Sequence, residues 1–337
     1  MNFSEEQRAI IEAPIDEKTV VMAAAAAGKT ATLTERIRYL VHHNVDPSKI
    51  VGLTFTNNAA AEMRDRLGDD FKPGMFLGTI HSYANVLLTS NGFDTAEYRN
   101  DEQFDELFGL IQENPEVLKP IDYLLCDESQ DLNEIQFDFI STVLDPRACL
   151  IVGDVRQSIY GFKGAHPKAL MYLLRNDEYE VRELTKNYRN GTAIIKFSND
   201  ILARMKEFHA TPVTAMRKER GRICKIDPYE IIQTIRKDKN WGNWAILCRS
   251  NDKVAHTINM LERCNIPCVT FRQAQGGLDE LKDKLNSDTV KVLTFHSAKG
   301  LEFNKVILCD FYTKGEENLR ITYVGVTRAR DELYLCW

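Results

Sequence analysis

Residues 19–42 read TVVMAAAAAGKTATLTERIRYLVH, and this stretch decides the fold. Its apolar start, residues 19–23, predicts a buried strand, and the apolar spacing over Lys29–His42 predicts an amphipathic helix. The segment that joins them ends in Gly28-Lys29-Thr30. It therefore matches the phosphate-binding pattern G-x-x-x-x-G-K-[ST], with Ala23 in place of the first glycine. In such a turn, backbone N–H groups at the helix N-terminus face phosphate oxygens.

The five alanines at 23–27 also suit a continuous helix, because Ala has the highest helix propensity. Gly-Lys-Thr alone does not decide between that helix and a phosphate-binding loop, but the preceding strand and the following helix favour the loop. In this interpretation Lys29 reaches the β- and γ-phosphates and Thr30 binds Mg²⁺. The other positions expected to contact the nucleotide are Ala25, Ala26, Ala27, Gly28 and Ala31.

A second motif follows an apolar strand at Tyr123–Cys126, which ends in Asp127 and Glu128. At the carboxyl edge of a parallel sheet, the first carboxylate can hold Mg²⁺ and the second can polarise an attacking water. A strand followed by an acidic helix N-cap would give the same pattern at any single place. The two motifs in one domain predict a nucleoside triphosphatase.

Strand-like runs alternate with amphipathic stretches along the whole chain, which predicts βαβ units and an α/β fold built on parallel sheets. At 337 residues, the length suits about two domains. We expect them at 1–195, with a small acidic helical insert at about 91–120, and at 196–337. The predicted strands are 19–23, 50–54, 123–126, 149–152, 244–248, 290–295 and 306–309. The predicted helices are 5–12, 29–42, 59–67, 135–144, 193–205, 254–264 and 319–328.

Composition narrows the class of protein. The net charge of −6 argues against a protein that coats nucleic acid, although it allows a local basic groove. The eight cysteines include no C-x-x-C pair, which indicates reduced core thiols and neither a disulfide framework nor a zinc site. The longest apolar run, at 20–27, is far below the roughly 20 residues of a membrane span, and the start does not resemble a signal peptide. We therefore expect a cytoplasmic protein.

Eight segments in order closely resemble the motifs of the UvrD/Rep family of superfamily 1 DNA helicases. The resemblance implies two RecA-like lobes of the P-loop type, with the ATP site between them. Residues 3–7 resemble the adenine-reading Q motif, and 127–131 resemble motif II. The other segments are 54–63, 78–82, 153–165, 187–189, 294–303 and 323–329.

The resemblance implies a role for each residue around ATP and Mg²⁺. Gln7 would read the adenine edge, Tyr188 and Arg36 would stack on its ring, and Glu302 would bond the ribose beside Gly300. Mg²⁺ would be held by Thr30 and Asp127. The catalytic set would be Lys29, Glu128 as the base for water, Gln157 as the γ-phosphate sensor, and Arg189 and Arg328 as arginine fingers.

The resemblance also implies a path for single-stranded DNA, in which aromatic rings stack on bases without reading sequence. Core packing is the competing interpretation of these aromatic residues. Phe162 and Lys163 stand where the family usually has Trp and Arg. The expected DNA contacts are Phe55, Thr56, Asn57, His81, Tyr160, Phe162, Lys163, Thr294 and His296.

Several departures from the family pattern have physical consequences. The family usually has Gly at Ala24 and Ala26, and if either position needs a positive φ, alanine there costs about 1–2 kcal/mol. Arg156 would add positive charge beside the γ-phosphate sensor. The family's two large inserts are reduced here to the short intervals 91–120 and 251–289, which favours a minimal motor.

Two functions remain open from the sequence. The first is an ATP-dependent translocase or helicase on single-stranded or tailed duplex DNA, with 3′→5′ polarity carried over from the family. The second is a DNA-gated ATPase subunit that signals to, or loads, a partner such as a nuclease or a replication or repair factor, without unwinding DNA itself.

Overall fold

The computed structural model describes residues 2–99, 105–161, 167–207, 211–238, 240–271 and 278–336. The chain forms two compact units, and the division falls after Leu184 rather than after residue 195. The second unit starts earlier than predicted because the segment after Thr185 bonds to other parts of that unit, for example through Gly191 N–H, which donates to the Arg330 carbonyl at 2.9 Å. Residues 24–27 also group with the second unit.

The first unit is built on six strands, and most of their residues are buried because helices cover a parallel sheet on both faces. The strands are β1 (Lys18–Ala23), β2 (Ile50–Thr54), β3 (Phe76–Thr79), β4 (Tyr123–Cys126), β5 (Ala148–Gly153) and β6 (Glu180–Leu184). The helices are α1 (Glu5–Ile11), α2 (Lys29–His42), α3 (Asn57–Leu67), α4 (Ile80–Ser90), α5 (Glu106–Glu113), α6 (Glu134–Asp138) and α7 (Pro167–Leu173).

The strand order β3-β2-β4-β5-β1-β6 places the two predicted phosphate motifs at one edge of this sheet. All five strand pairs are parallel. The loop after β1 and the carboxylates after β4 therefore leave the same edge, with the end of β5 between them.

The second unit has its own six-stranded sheet, in the order β11-β12-β10-β13-β14-β9, and again every pair is parallel. A two-stranded ribbon, β7 (Lys186–Asn187) with β8 (Thr214–Ala215), precedes it. The strands of the large sheet are β9 (Arg222–Ile226), β10 (Trp244–Cys248), β11 (Cys268–Val269), β12 (Val290–Thr294), β13 (Phe303–Cys309) and β14 (Ala329–Cys336). The helices are α8 (Thr192–Leu202), α9 (Ile231–Arg236), α10 (Asn251–Arg263), α11 (Leu278–Asn286) and α12 (Glu316–Val326).

The predicted α/β class with two parallel sheets is confirmed. Each predicted strand and helix overlaps an observed one, although 135–144 divides into α6 and the π-helical turn Phe139–Val143. None of the four edge strands, β3, β6, β9 and β11, was predicted; β6 and β9 contain one buried residue each and lack a continuous apolar run. No helix in the described ranges has the length and apolarity to span a bilayer.

The acidic insert does contain a helix, α5, and one face of it is buried. Leu107, Phe108 and Ile111 lie in the core of the first unit, and the Phe108 ring packs on Phe139 at 4.7 Å between centroids. The insert is thus part of the folded unit and not only a solvated segment.

Candidate functional site

The loop between β1 and α2 turns sharply. Ala27 N–H donates to the Ala24 carbonyl at 3.2 Å, and Gly28, with φ +81°, is the N-cap of helix α2. A side chain at Gly28 would be strained at this φ, and a Cβ there would lie 2.6 Å from Gln7 Nε2. Glycine is favoured at this position, and the Q-motif glutamine lies directly beside it.

Ala26 has φ +55°, in the left-handed region. Alanine in that conformation costs about 1–2 kcal/mol relative to the right-handed region, because Cβ approaches the following carbonyl oxygen. A positive φ, the condition for strain at Ala24 or Ala26, is thus found at Ala26, whereas Ala24 is not among the positive-φ residues of the described chain. The loop therefore carries backbone strain at Ala26 and not at Ala24.

Lys29, the first residue of α2, forms an ion pair with Glu128, with 2.6 Å between Nζ and Oε1. Only 12% of its side chain is exposed. Burial lowers the pKa of Lys29, but attraction by Glu128, Asp127 and Asp154 outweighs it, so the net pKa lies above the usual value. Lys29 is held as a buried cation among three carboxylates.

The paired carboxylates lie at the end of β4, as predicted. Asp127 N–H continues the sheet by donating to the Leu53 carbonyl at 2.9 Å, and Asp127 Oδ1 accepts from Glu128 N–H at 2.8 Å. Glu128 has φ +54°, a conformation that non-glycine residues rarely adopt and that often marks functional positions. The turn fixes the direction in which the Glu128 side chain leaves the strand.

The donor set fits a magnesium nucleotide better than a metal held by protein alone. Within the described residues, no group of three or more His, Cys, Asp and Glu side chains could hold a metal ion. Mg²⁺ in nucleotide sites takes one or two protein ligands and completes its shell with phosphates and water. Thr30 follows Lys29 directly, and Asp127 lies close enough to attract the Lys29 cation, so the two predicted magnesium ligands adjoin the predicted phosphate-binding loop.

Gln130, which carried no predicted role, links Glu128 to the segment after β5. Its Nε2 donates to Glu128 Oε2, and its Oε1 accepts from Asp154 N–H at 2.8 Å. Asp154 is fully buried and accepts from Gln157 Nε2 at 2.8 Å. The predicted base and the predicted γ-phosphate sensor thus belong to one hydrogen-bonded chain, and the only sequence signal for Gln130 was its place in the second motif.

Arg156 pairs with the buried Asp154 through Nε and Oδ1. Both side chains are almost completely inaccessible, at 5% and 0% exposure. The expectation that Arg156 adds positive charge beside the sensor is wrong, because Asp154 neutralises that charge within the first unit.

The Q motif forms a capping box at the start of α1. Ser4 Oγ accepts from Gln7 N–H, and Gln7 Oε1 accepts from Ser4 N–H at 2.9 Å. This bond holds the Gln7 side chain, and its amide nitrogen lies close to Gly28. The structure therefore brings the predicted adenine reader to the phosphate-binding loop.

Arg36 is not placed for its predicted role, and the prediction is wrong. The residue has 0% exposure, so its guanidinium has no surface on which an adenine ring could stack. It donates to the carbonyls of Ile11, Ala13 and Pro14 and to the Tyr123 hydroxyl. Arg36 anchors the segment between α1 and β1.

Two of the predicted base-stacking residues lie together in the first unit. The rings of Phe55 and Tyr160 are 5.5 Å apart at an angle of 26°, and both are partly exposed. Thr56 caps α3 by accepting from Ala59 N–H at 3.2 Å, and Asn57 is exposed in the first turn of that helix. The aromatic pair is suited to stacking on a base of a DNA strand, and the helix N-terminus beside it is suited to binding a phosphate of that strand.

His81, in the first turn of α4, is held by the acidic insert. Its Nε2 lies 3.2 Å from Asp105 Oδ1, and its ring packs on Phe108 at 5.3 Å. Asp105 also accepts from Asn133 Nδ2 at 2.6 Å and from Gln136 Nε2 at 3.3 Å. The hydrogen bond with His81, followed by those with Asn133 and Gln136, outweighs burial and lowers the pKa of Asp105.

In the second unit, residues 24–27 are bound by the segment that carries motif IV. Asn187 Nδ2 donates to the Ala25 carbonyl at 2.9 Å, and Tyr188 N–H donates to the Ala26 carbonyl at 3.1 Å. The Tyr188 side chain is 41% exposed. Its ring is accessible for the stacking that the resemblance implies.

The predicted arginine fingers differ in their surroundings. Arg189 pairs with Glu302, with 2.6 Å between Nε and Oε2, so the structure joins a predicted finger to the predicted ribose ligand. Arg328 is 2% exposed, and its Nε donates to the Val324 carbonyl at 2.9 Å and its Nη1 to the Leu301 carbonyl at 3.2 Å. Gly300, with φ +84°, lies next to Leu301.

The remaining predicted DNA contacts follow β12. Thr294 Oγ1 accepts from Ser297 N–H at 3.1 Å, and this bond shapes the turn that carries His296. Both Thr294 and His296 are partly exposed. Phe162 and Lys163 lie outside the described residues.

Comparison with known proteins agrees with the motif order. Residues 3–116 and 106–178 match the UvrD/REP helicase N-terminal domain, and residues 274–337 match the UvrD-like helicase C-terminal domain. The N-terminal matches cover more than half of the chain.

Three curated relatives illustrate how much of a longer protein the chain spans. A putative ATP-dependent DNA helicase of Acanthamoeba polyphaga mimivirus is 29% identical over 99% of this chain and 53% of its own length. A probable DNA helicase of Mycoplasma pneumoniae is 25% identical, over 99% and 83%. The ATP-dependent DNA helicase PcrA of Staphylococcus aureus is 24% identical, over 79% and 50%. The chain thus spans about half the length of the viral and staphylococcal relatives.

Proposed function

Since the chain belongs to the UvrD/REP helicase family, we propose that it hydrolyses ATP to move along single-stranded DNA and to separate strands, with 3′→5′ polarity. The observation that carries the proposal is the buried ion pair between Lys29 and Glu128, beside Asp127 at one sheet edge. A lysine, two carboxylates and a turn of backbone N–H groups form the donor set that phosphoryl transfer requires.

Through this ion pair, nucleotide binding changes the hydrogen bonds of Glu128, the proposed catalytic base. Lys29 Nζ donates a hydrogen bond to Glu128 Oε1 at 2.6 Å. When phosphates arrive, Lys29 transfers its hydrogen bonds to them, which frees Glu128 Oε1 to orient and deprotonate water. Gln130 keeps its bond to Oε2, so the carboxylate stays oriented while its partner changes.

Thr30 and Asp127 would hold Mg²⁺, which would neutralise negative charge on the phosphates. Gln157 senses the γ-phosphate through the chain that connects it to Glu128. Arg189 and Arg328 stabilise the charge that develops on the transferred group, while Tyr188 and Gln7 hold the adenine. These roles follow the resemblance and are proposals for each residue.

DNA is gripped by stacking rather than by a broad basic surface, which agrees with the net charge of −6. The Phe55–Tyr160 pair receives bases, and Thr294 and His296 meet the strand from the second unit. Each stacked base contributes about 1–3 kcal/mol without reading sequence.

The test is ATPase activity of the purified chain with and without single-stranded DNA. We expect DNA to stimulate turnover, and Lys29→Ala and Glu128→Gln each to abolish it. Lys49→Ala is the matched control, because this lysine pairs with Asp122 at 3.6 Å on an exposed surface. Equal turnover with and without DNA, or full activity of Glu128→Gln, would contradict the proposal.

Strand displacement tests polarity and unwinding separately. We expect the chain to displace the strand of a 3′-tailed duplex and to leave 5′-tailed and blunt duplexes paired. If only the 5′-tailed duplex is displaced, the proposed polarity is wrong and the proposed ATPase activity is unaffected.

The short insert intervals 91–120 and 251–289 favour a second candidate. In it, the chain is a DNA-gated ATPase that signals to, or loads, a partner protein such as a nuclease. DNA-stimulated ATPase without displacement of any tailed duplex would support this candidate. Robust displacement by the chain alone would reject it.

A further inference from the structure

Three cysteines form a row across the sheet of the second unit. Cys309 of β13 faces Cys336 of β14 directly in the strand register. Leu247 of β10 faces Leu308 of β13, so the next residue, Cys248, faces Cys309. The three thiols end adjacent strands on the same side of the sheet, packed within or against the same hydrophobic core.

The sulfur atoms in this row interact with each other. Cys309 lies close enough to its two neighbours to lower the pKa of both the Cys248 and the Cys336 thiol, while its own pKa is raised by them. A lowered thiol pKa increases the fraction of thiolate, which is the reactive form.

The geometry suits a bond between Cys309 and Cys336. Facing residues on neighbouring strands lie about 4.8 Å apart, within the roughly 4.4–6.8 Å between Cα atoms that a disulfide spans. Cys248 and Cys336 are both buried, but Cys248 is less suited because its Sγ also lies 3.6 Å from Thr257 Oγ1. Cys309 is partly exposed.

The first unit provides an internal contrast. Cys126 of β4 and Cys149 of β5 are also buried cysteines on neighbouring strands, but Cys149 faces Leu124, so the two cysteines are offset by two residues. That offset separates their Cα atoms by roughly 8 Å, given the strand rise and spacing. This distance is too long for a disulfide without backbone movement.

We propose that Cys309 and Cys336 are a peroxide-oxidisable pair that forms a reversible disulfide between β13 and β14. The Cys336 thiolate attacks one oxygen of hydrogen peroxide, the O–O bond breaks, and the leaving hydroxide takes a proton to become water. The Cys309 thiol then attacks the Cys336 sulfenic sulfur, the S–S bond forms, the S–O bond breaks, and the second oxygen leaves as water with the Cys309 proton. Two thiols are oxidised, and one peroxide is reduced to two waters.

The test is peptide mapping of the full chain after treatment with hydrogen peroxide and blocking of free thiols. We expect a peptide that links Cys309 to Cys336, its loss on reduction with dithiothreitol, and no link between Cys126 and Cys149. Cys309→Ser should abolish the linked peptide. Cys126→Ser, the matched control from the other unit, should leave its yield unchanged.

The outcomes separate clearly. Linkage of Cys309 to Cys248 in place of Cys336, or equal linkage of Cys126 to Cys149, would overturn the proposal. So would the absence of any bond to Cys309 at peroxide concentrations that oxidise other cysteines of the chain. Mapping of the unsubstituted chain decides the matter even if a serine variant fails to fold, and none of these readouts depends on ATPase or DNA binding.

Discussion

Replacing Ala26 by glycine should stabilise the protein. Ala26 has φ +55°, and relief of the left-handed conformation contributes about 1–2 kcal/mol. Glycine also adds freedom to the unfolded chain, which costs about 0.4–1 kcal/mol. The difference is a net gain of roughly 0–1.6 kcal/mol in the free energy of unfolding, with a mid-range value of about 0.8 kcal/mol.

Ala24→Gly is the matched control, because it makes the same chemical change two residues earlier in the same loop. Ala24 is buried and is not among the positive-φ residues of the described chain, so no backbone strain is relieved there. Loss of the buried Ala24 methyl group adds to the cost in the unfolded chain, so we expect a loss of at least about 0.4–1 kcal/mol. The two variants should therefore differ by at least about 1–2 kcal/mol, with Ala26→Gly the more stable.

Urea unfolding followed by far-ultraviolet circular dichroism measures this difference. Circular dichroism reports on both units, whereas the tryptophans of the chain, at 241, 244 and 337, all belong to the second unit. A changed midpoint with an unchanged urea dependence would indicate an effect on stability alone. Equal destabilisation by Ala26→Gly and Ala24→Gly would refute the reasoning from backbone strain.

Three other changes test the site. Gly28→Ala combines φ +81° with a Cβ 2.6 Å from a glutamine amide nitrogen, so we expect loss of nucleotide binding in a filter or fluorescence assay. Gln130→Ala leaves the buried Asp154 N–H without its acceptor, and should cost about 1–3 kcal/mol in urea unfolding. Asp105 has a lowered pKa in the folded state. Its contribution to the free energy of unfolding is therefore present above its pKa in the unfolded chain, and is lost as pH falls through its pKa in the folded protein. The stability advantage over Asp105→Asn should therefore shrink as pH falls through the folded pKa of Asp105; an advantage that grows over that range would contradict the lowered pKa.

Sequence reasoning succeeded where a function depends on residues that are close along the chain. The strand, turn and helix around Gly28 and Lys29 are local, and the carboxylates after β4 follow from one apolar run. Parallel pairing then brings both motifs to one edge, which the βαβ pattern predicts. The contacts of Gln130 depend on how β4 and β5 are aligned, and no local pattern contains that information.

The error at Arg36 has a geometric cause. Arg36 follows Lys29 by seven residues, nearly two turns, so both side chains lie on one stripe of α2. That spacing also places Arg36 about 10.5 Å further along the helix axis than the residue that meets phosphate. The same part of α2 contains the buried residues Leu33, Ile37 and Leu40. A side chain there is buried, and a charged one needs hydrogen-bond partners inside the protein. Three carbonyls and the Tyr123 hydroxyl satisfy the guanidinium, and a basic residue in a nucleotide-binding helix thereby becomes a structural one.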